Sequence, residues 1–500
     1  WYNGVSRVDL GSGGFSRMVR APGDVGTLAD KKVRALADAG GGKLWLATKG
    51  GLKLYDTRDG SSQLFDLRSA PGMSRDEQVT TLYKAPDGTL WVGGSTGLHR
   101  FDPKLGRFFT MRFAAGDPNS DTIRNIVSDR SGMLWVSTRG GVHRFDPASR
   151  RFTTYRHDPA DPNSLSDNMV RPVLEDGKGQ LWIGSFHGLD LLDRASGHFR
   201  HFRHDPQDPH SLSHDEVHFL HEDKRGVLWV GTANGLNRMD VDAKGEIRFR
   251  RFLRKDGMAD DAIASILGDD NEQLWLSTNS GITRLDMRSG LFRNYDSADG
   301  TVEGSYFDGA ALRASDGTMY FGGFNGMTAF APQDIHDNRV PPLVAITELQ
   351  IFNKPVAVGR GEFAQVLKAA IDHTRQLVLT SRESVFSLEF AALHFAAPQR
   401  NMFAYRLEGF DQDWVMTDAG RRFATYTNLD PGNYVFRVKA ANKDGVWNES
   451  GATLAITILP PFWKTWWFRT LMAALLLGAV YGAYRQRVRA LRRQQNELEK

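Results

Sequence analysis

Leu228-Trp229-Val230-Gly231-Thr232-Ala233-Asn234-Gly235-Leu236-Asn237-Arg238-Met239-Asp240 reads as a short apolar strand, a tight turn and a second strand. Its Leu-Trp-apolar-small core recurs at Trp45, Trp91, Trp135, Trp182, Trp229 and Trp275, and Tyr320 takes the place of Trp in a seventh copy. The spacings are 46, 44, 47, 47, 46 and 45 residues. Six residues after each aromatic stands a glycine: Gly51, Gly97, Gly141, Gly188, Gly235, Gly281 and Gly326. Gly4-Val5 reads as the tail of a further, truncated copy.

Each copy holds four short strands. Around Trp182, Val170 to Glu175 is an apolar run, and Asp176-Gly177-Lys178-Gly179 is hairpin-turn chemistry. Leu181 to Ser185 is the second strand and Leu189 to Asp193 the third. Phe199-Arg200-His201-Phe202 alternates as an outer fourth. Four strands at this period mean propeller blades, not a helical solenoid. About seven copies, over residues 30–336, are enough to close a ring, which leaves no long sheet edge exposed. The tryptophans belong in the wedge between blades, as core.

The Trp229 repeat and the linker His157-Asp-Pro-Ala-Asp-Pro-Asn-Ser-Leu-Ser-Asp-Asn168 resemble the two-component regulator propeller of bacterial sensor and hybrid kinases. In that family two seven-bladed propellers often stand in tandem. The resemblance therefore makes residues 1–29 the tail of a truncated upstream blade and a linker.

Past Pro341-Pro342 come about seven strand-like runs within residues 341–459, the pattern of an immunoglobulin-like β-sandwich. Leu429-Asp-Pro-Gly-Asn-Tyr434 resembles a tyrosine corner. The stretch also resembles the three-tyrosine domain that follows such propellers. That match rests on Tyr405-Arg-Leu-Glu-Gly-Phe-Asp411, Trp414, Ala424-Thr-Tyr-Thr-Asn-Leu429, Tyr434 and Trp447, with Tyr405, Tyr426 and Tyr434 as its tyrosines.

Residues 463–484 read as one transmembrane helix. Trp463, Trp466 and Trp467 suit one membrane interface, Tyr481 and Tyr484 the other. From Trp466 to Tyr484 the only charge is Arg469. Arg485, Arg487, Arg489, Arg492 and Arg493 follow, and by the positive-inside rule that end is cytoplasmic. Val488, Leu491, Gln495 and Leu498 form an a/d seam, so residues 485–500 are expected to begin a cytoplasmic coiled coil.

The net charge of +4 is small for 500 residues and partly sits in that arginine cluster, so nothing points to nucleic acid. With no cysteine there is no disulfide, thiol nucleophile or Cys-based zinc site. Walker, G-x-S-x-G and H-E-x-x-H motifs are missing from this sequence, so no catalytic residue is assigned. Eight of the fourteen histidines crowd between His187 and His221, but crowding is not convergence, and neither a metal nor a cofactor is expected.

In a propeller the turn after the second strand and the loops between blades emerge together beside the central channel. The turn tips differ from blade to blade: Lys49, Thr96, Arg139, Phe186 with His187, Asn234, Asn279, and Phe324 with Asn325. A fixed scaffold with variable tips is how such a fold makes a site. These amides, aromatics and charges are the candidate ligand-binding residues.

The expected function is the ligand-sensing region of a bacterial transmembrane receptor. Its propeller and sandwich would lie in the periplasm, its one helix in the inner membrane, and its partner would be a second copy of the chain. The family resemblance implies an oligosaccharide ligand and a sensor histidine kinase output. A diguanylate cyclase output, or a membrane-tethered glycan-active enzyme, is the alternative.

Overall fold

The computed structural model describes residues 14–18, 31–69, 77–113, 118–395, 397–464 and 466–498, with side chains up to 493. Two units partition it, one over residues 9–336 and the other containing residues 337–500.

Seven four-stranded antiparallel sheets make up the first unit among the described residues. The sheet of Trp182 runs in order Val170–Glu175, Leu181–Ser185, Gly188–Leu192, Phe199–Phe202. Its second strand is buried at every position, as is Leu228–Thr232, because a neighbouring sheet covers each face. That is why these strands read as continuous apolar runs instead of alternating. Trp135 packs with Val170, Val173, Leu181 and Ile183 of the following sheet. The first strands of the seven sheets touch their neighbours in sequence order, and Val33–Gly40 of the first touches Tyr306–Arg313 of the last. The sheets therefore form a closed propeller.

One strand was not legible in the repeat. Ser16–Met18 pairs antiparallel with Gly326–Phe330, Arg17 facing Thr328, and supplies the outer strand of the last sheet. The segment read as a linker ahead of residue 30 thus contributes to the propeller. Three residues with no aromatic marker carry no local signal, and their partner lies some three hundred residues away. Gly4-Val5 lies outside the described residues.

The second unit contains a sandwich of two sheets. One orders Lys354–Pro355, Val344–Ile351, Val385–Ala392 and Phe423–Thr427. The other orders Gln376–Leu379, Trp447–Ile458, Gly432–Ala441, Met402–Glu408 and Val415–Asp418. Phe386, Phe390, Phe403 and Phe436 fill the space between them. The Tyr434 hydroxyl donates to the Asp430 carbonyl at 2.9 Å, the back-bond of a tyrosine corner. Tyr426 donates to Asp411 at 2.8 Å.

A 3-10 turn, Phe462–Lys464, precedes one continuous helix, Trp466–Leu498. Its 33 residues span about 50 Å at ~1.5 Å per residue, against a hydrocarbon layer of about 30 Å. Within Trp466–Arg493 an 18-residue window reaches mean hydropathy 1.2, and none of that window is buried in the protein. The helix is long and apolar enough to cross a membrane.

Candidate functional site

Every inner strand of the propeller carries an irregularity near its start. Pairing slips between Val33 and Ala35, Val79 and Thr81, Ile123 and Asn125, Val170 and Val173, Val217 and Phe219, Ile263 and Ser265, and Tyr306 and Ala311. Such bulges leave a residue out of the ladder and re-aim its side chain. The residues released are Arg34, Thr80, Arg124, Arg171, His218, Ala264 and, in the longest bulge, Phe307 with Asp308. They lie at one end of the barrel-like channel, because Val33 faces Thr48, Val170 faces Ser185 and Val217 faces Thr232, just before each turn glycine. The channel mouth and the variable turn tips therefore share one face.

All of these released residues except Ala264, together with Asn125, Pro172, Phe219 and Gly309, line a cavity of about 100 Å³. Arg171 is fully engaged there. It donates to Asp308 at 2.8 Å, lies 3.1 Å from Glu216, and stacks 4.4 Å above the Phe186 ring. His218 holds the Ile263 carbonyl at 3.2 Å through Nδ1. Its Nε2 is 3.2 Å from Glu216 but out of hydrogen-bond alignment, and so is buried without a partner. Arg34 stacks 5.1 Å from the Phe307 ring, which stacks in turn on Phe324 at 3.9 Å. Among the described residues Arg34 and Arg124 have no ion-pair partner, and Arg34 Nε and Asn125 Oδ1 are buried without hydrogen bonds. Burial first, then the nearby charges of Arg139 and Arg171, pull the Arg124 guanidinium down to about 10, with Asp308 opposing.

The turn residues named from sequence separate into three groups. Phe186 and Phe324 reach the channel through Arg171 and Phe307. Arg139 is exposed and lies within electrostatic range of Arg124. Lys49, Asn234 and Asn279 are exposed tips outside the cavity lining. His187 is held by Asp167 at 2.5 Å, Asn325 donates to the Glu303 carbonyl at 3.0 Å, and Thr96 to Glu77 at 2.5 Å; these brace their own loops. The residues that sequence reasoning missed are Arg34, Arg124, Arg171, His218 and Phe307. Their signal was available: the residue just after the opening Val, Ile or Tyr of each inner strand varies in charge and size.

Two other features have structural explanations. A larger groove of about 780 Å³ includes Asp129 and Glu175, both committed to Arg194 at 3.2 and 2.7 Å. The Asp-rich loops spend their polar groups internally. His157 Nδ1 meets the Leu165 carbonyl at 2.8 Å, and His204 Nδ1 the Leu212 carbonyl at 2.7 Å. Asp158 and Asp205 backbones donate to Ser164 and Ser211.

Residues 211–234 match the two component regulator propeller family, and residues 394–459 match the Y_Y_Y domain family. The chain carries two-component regulator propeller and Y_Y_Y domains. It is 34% identical over 224 residues to histidine kinase P4 of Formosa agariphila, covering 45% of this chain and 16% of that protein. It is also similar to the extracellular domain assigned to the hybrid two component system BT3049 of B. thetaiotaomicron. There the TM-score is 0.73 at 26% identity, over 89% of this chain and 57% of that one. The extracellular domain of a second such system, BT4673, shares the fold at TM-score 0.51 and 21% identity, over 90% and 59% of the two chains. The chain spans less than two thirds of each of these relatives. The Y_Y_Y match encloses Tyr405, Tyr426 and Tyr434, and the propeller match encloses the loop leading to His218 and the Asn234 tip.

Proposed function

We propose that this chain is the sensing region of a single-pass signalling receptor, with the regulator propeller and Y_Y_Y domain in the periplasm. The channel mouth binds an oligosaccharide. Helix Trp466–Leu498 crosses the inner membrane and carries the signal to a histidine kinase output, in a homodimer whose helices continue as a coiled coil. The observation that supports this most is the order of parts: a propeller of sensor type, a Y_Y_Y domain, then an exposed apolar helix between a Trp cluster and five arginines. A ligand acts in such a receptor only by its difference in affinity for two arrangements of the dimer.

The absence of native cysteine makes topology directly measurable. Lys244→Cys in the propeller should react with a membrane-impermeant maleimide in spheroplasts. Gln486→Cys should react only after lysis. Equal labelling of both sites, or recovery of the chain in the soluble fraction, defeats the receptor reading.

A glycan-active enzyme is the second reading, favoured by Glu216 and Asp308 at 3.2 and 3.6 Å from His218. Both carboxylates are already paired with Arg171, which favours binding over acid–base work. Release of a shortened product from an oligosaccharide, abolished in His218→Ala, would reverse that preference.

A further inference from the structure

The channel holds more positive charge than its carboxylates can neutralise. Arg171 engages both Asp308 and Glu216, which also lie 3.6 and 3.2 Å from His218. Arg34 and Arg124 are left with no ion-pair partner among the described residues, and exposed Arg139 adds to the field from the mouth. A partly buried cation without a counter-charge is costly, and a protein keeps one where an anion is to be received. A second observation points the same way. Arg34 Nε is a buried N–H donor without a hydrogen-bond partner, and it belongs to a residue lining this cavity.

We infer that the propeller channel receives the anionic group of a ligand, a carboxylate or sulfate, between Arg34, Arg124 and His218. The inference rests on the reading of the channel mouth as the ligand site and specifies its chemistry. The cavity has room for a small group: its volume of about 100 Å³ exceeds the ~10–15 Å³ that one water needs on the same measure. The acidic group would enter it, with the rest of a sugar near Phe186 and Phe324, which stack on Arg171 and Phe307. Arg34 and Arg124 offer forked N–H donors suited to two oxygens of one group. His218, held by the Ile263 carbonyl through Nδ1 and with Nε2 3.2 Å from Glu216, lines the same cavity. Glu216 and Asp308, paired with Arg171, set a limit on charge, so that one acidic group is favoured over several.

The test uses the full chain in detergent or nanodiscs at low salt. Three probes are titrated by calorimetry and thermal shift: D-glucuronate, inorganic sulfate and D-glucose. Glucuronate should bind and raise the melting temperature, more weakly as chloride is added, and glucose should do neither. Sulfate equal to glucuronate would assign the site to a free anion; glucuronate the stronger assigns it to a sugar acid. Arg124→Gln should weaken the acidic probe at least tenfold while leaving the unliganded melting temperature unchanged or raised, since an uncompensated charge is removed. Arg124→Lys should recover part of the affinity. An unliganded protein destabilised by Arg124→Gln with binding intact would mark Arg124 as structural and overturn the inference. So would anion binding indifferent to both substitutions, or glucose binding as well as glucuronate. Tight binding of a neutral oligosaccharide alone would end the anion proposal and leave the receptor reading standing.

Discussion

At the residue scale, the repeated Trp does two things. Its ring fills the wedge between sheets, and in four of the six copies its Nε1–H is anchored by an aspartate six residues upstream; Ala39 and Ala85 hold that place before Trp45 and Trp91. Trp135 donates to Asp129, Trp182 to Asp176, Trp229 to Asp223 and Trp275 to Asp269, at 2.9 to 3.1 Å. The other oxygen of each aspartate accepts two backbone N–H groups of the hairpin turn; in the Trp229 sheet these belong to Arg225 and Val227. One carboxylate thus ties turn to core. Asp223→Ala leaves those donors without a partner and should cost about 1–3 kcal/mol, read as a lower denaturation midpoint. The turn glycine is equally constrained. Gly188 has φ +123°, and a Cβ there would lie 2.5 Å from the Phe202 carbonyl oxygen. Gly188→Ala should therefore destabilise by more than the ~1 kcal/mol of an ordinary loop substitution, by the same measurement.

At the element scale, the inner-strand bulge and the N-terminal strand decide what the propeller can do. Without the bulge the residue after each opening Val or Ile would lie in the ladder, and the channel would lose its lining. The Ser16–Met18 strand joins the two ends of the propeller by pairing alone, Ser16 facing Ala329. The double substitution Ser16→Cys with Ala329→Cys should form an intramolecular disulfide, since the Cα atoms of directly paired residues stand about 4.5–5.5 Å apart, within the span a disulfide bridges. Closing so long a loop should raise the melting temperature under oxidising conditions, by at most about 5 kcal/mol of stability. Two free thiols after oxidation, counted by alkylation and mass spectrometry, would show that this strand does not occupy the edge.

At the scale of the whole molecule, acid should be the weak side. Burial, chiefly, pushes His99 and His221 down from their usual 6.5 to about 4; the Arg112 charge assists at His99, while Asp223 opposes at His221. The unfolded chain takes up these protons near pH 6.5, the folded chain only near pH 4. Stability is therefore complete above about pH 6.5 and falls as pH drops towards 4. His221 faces Trp229 as Leu174 faces Trp182 and Leu267 faces Trp275, so a leucine fits the position. His221→Leu should flatten the acid limb of melting temperature against pH and leave the neutral region almost unchanged.

What the sequence determined by itself were the features written locally and repeatedly. The period of the aromatic, the glycine six residues later, the tyrosine corner at Tyr434 and the apolar helix between its Trp and Arg flanks all follow from side-chain chemistry over a few residues. The variable turn tips were visible too, and Phe186 and Phe324 among them stack on Arg171 and Phe307 of the cavity lining. What only the tertiary structure decided was which charges meet. Arg124, Arg171 and His218 follow one another a blade apart in sequence and Arg34 stands two blades before Arg124, and the inner-strand bulges turn them towards one axis. Their pairing is a matter of distance across a closed ring, which no local pattern encodes. The same holds for Ser16–Met18, whose role exists only because the ring returns to its beginning.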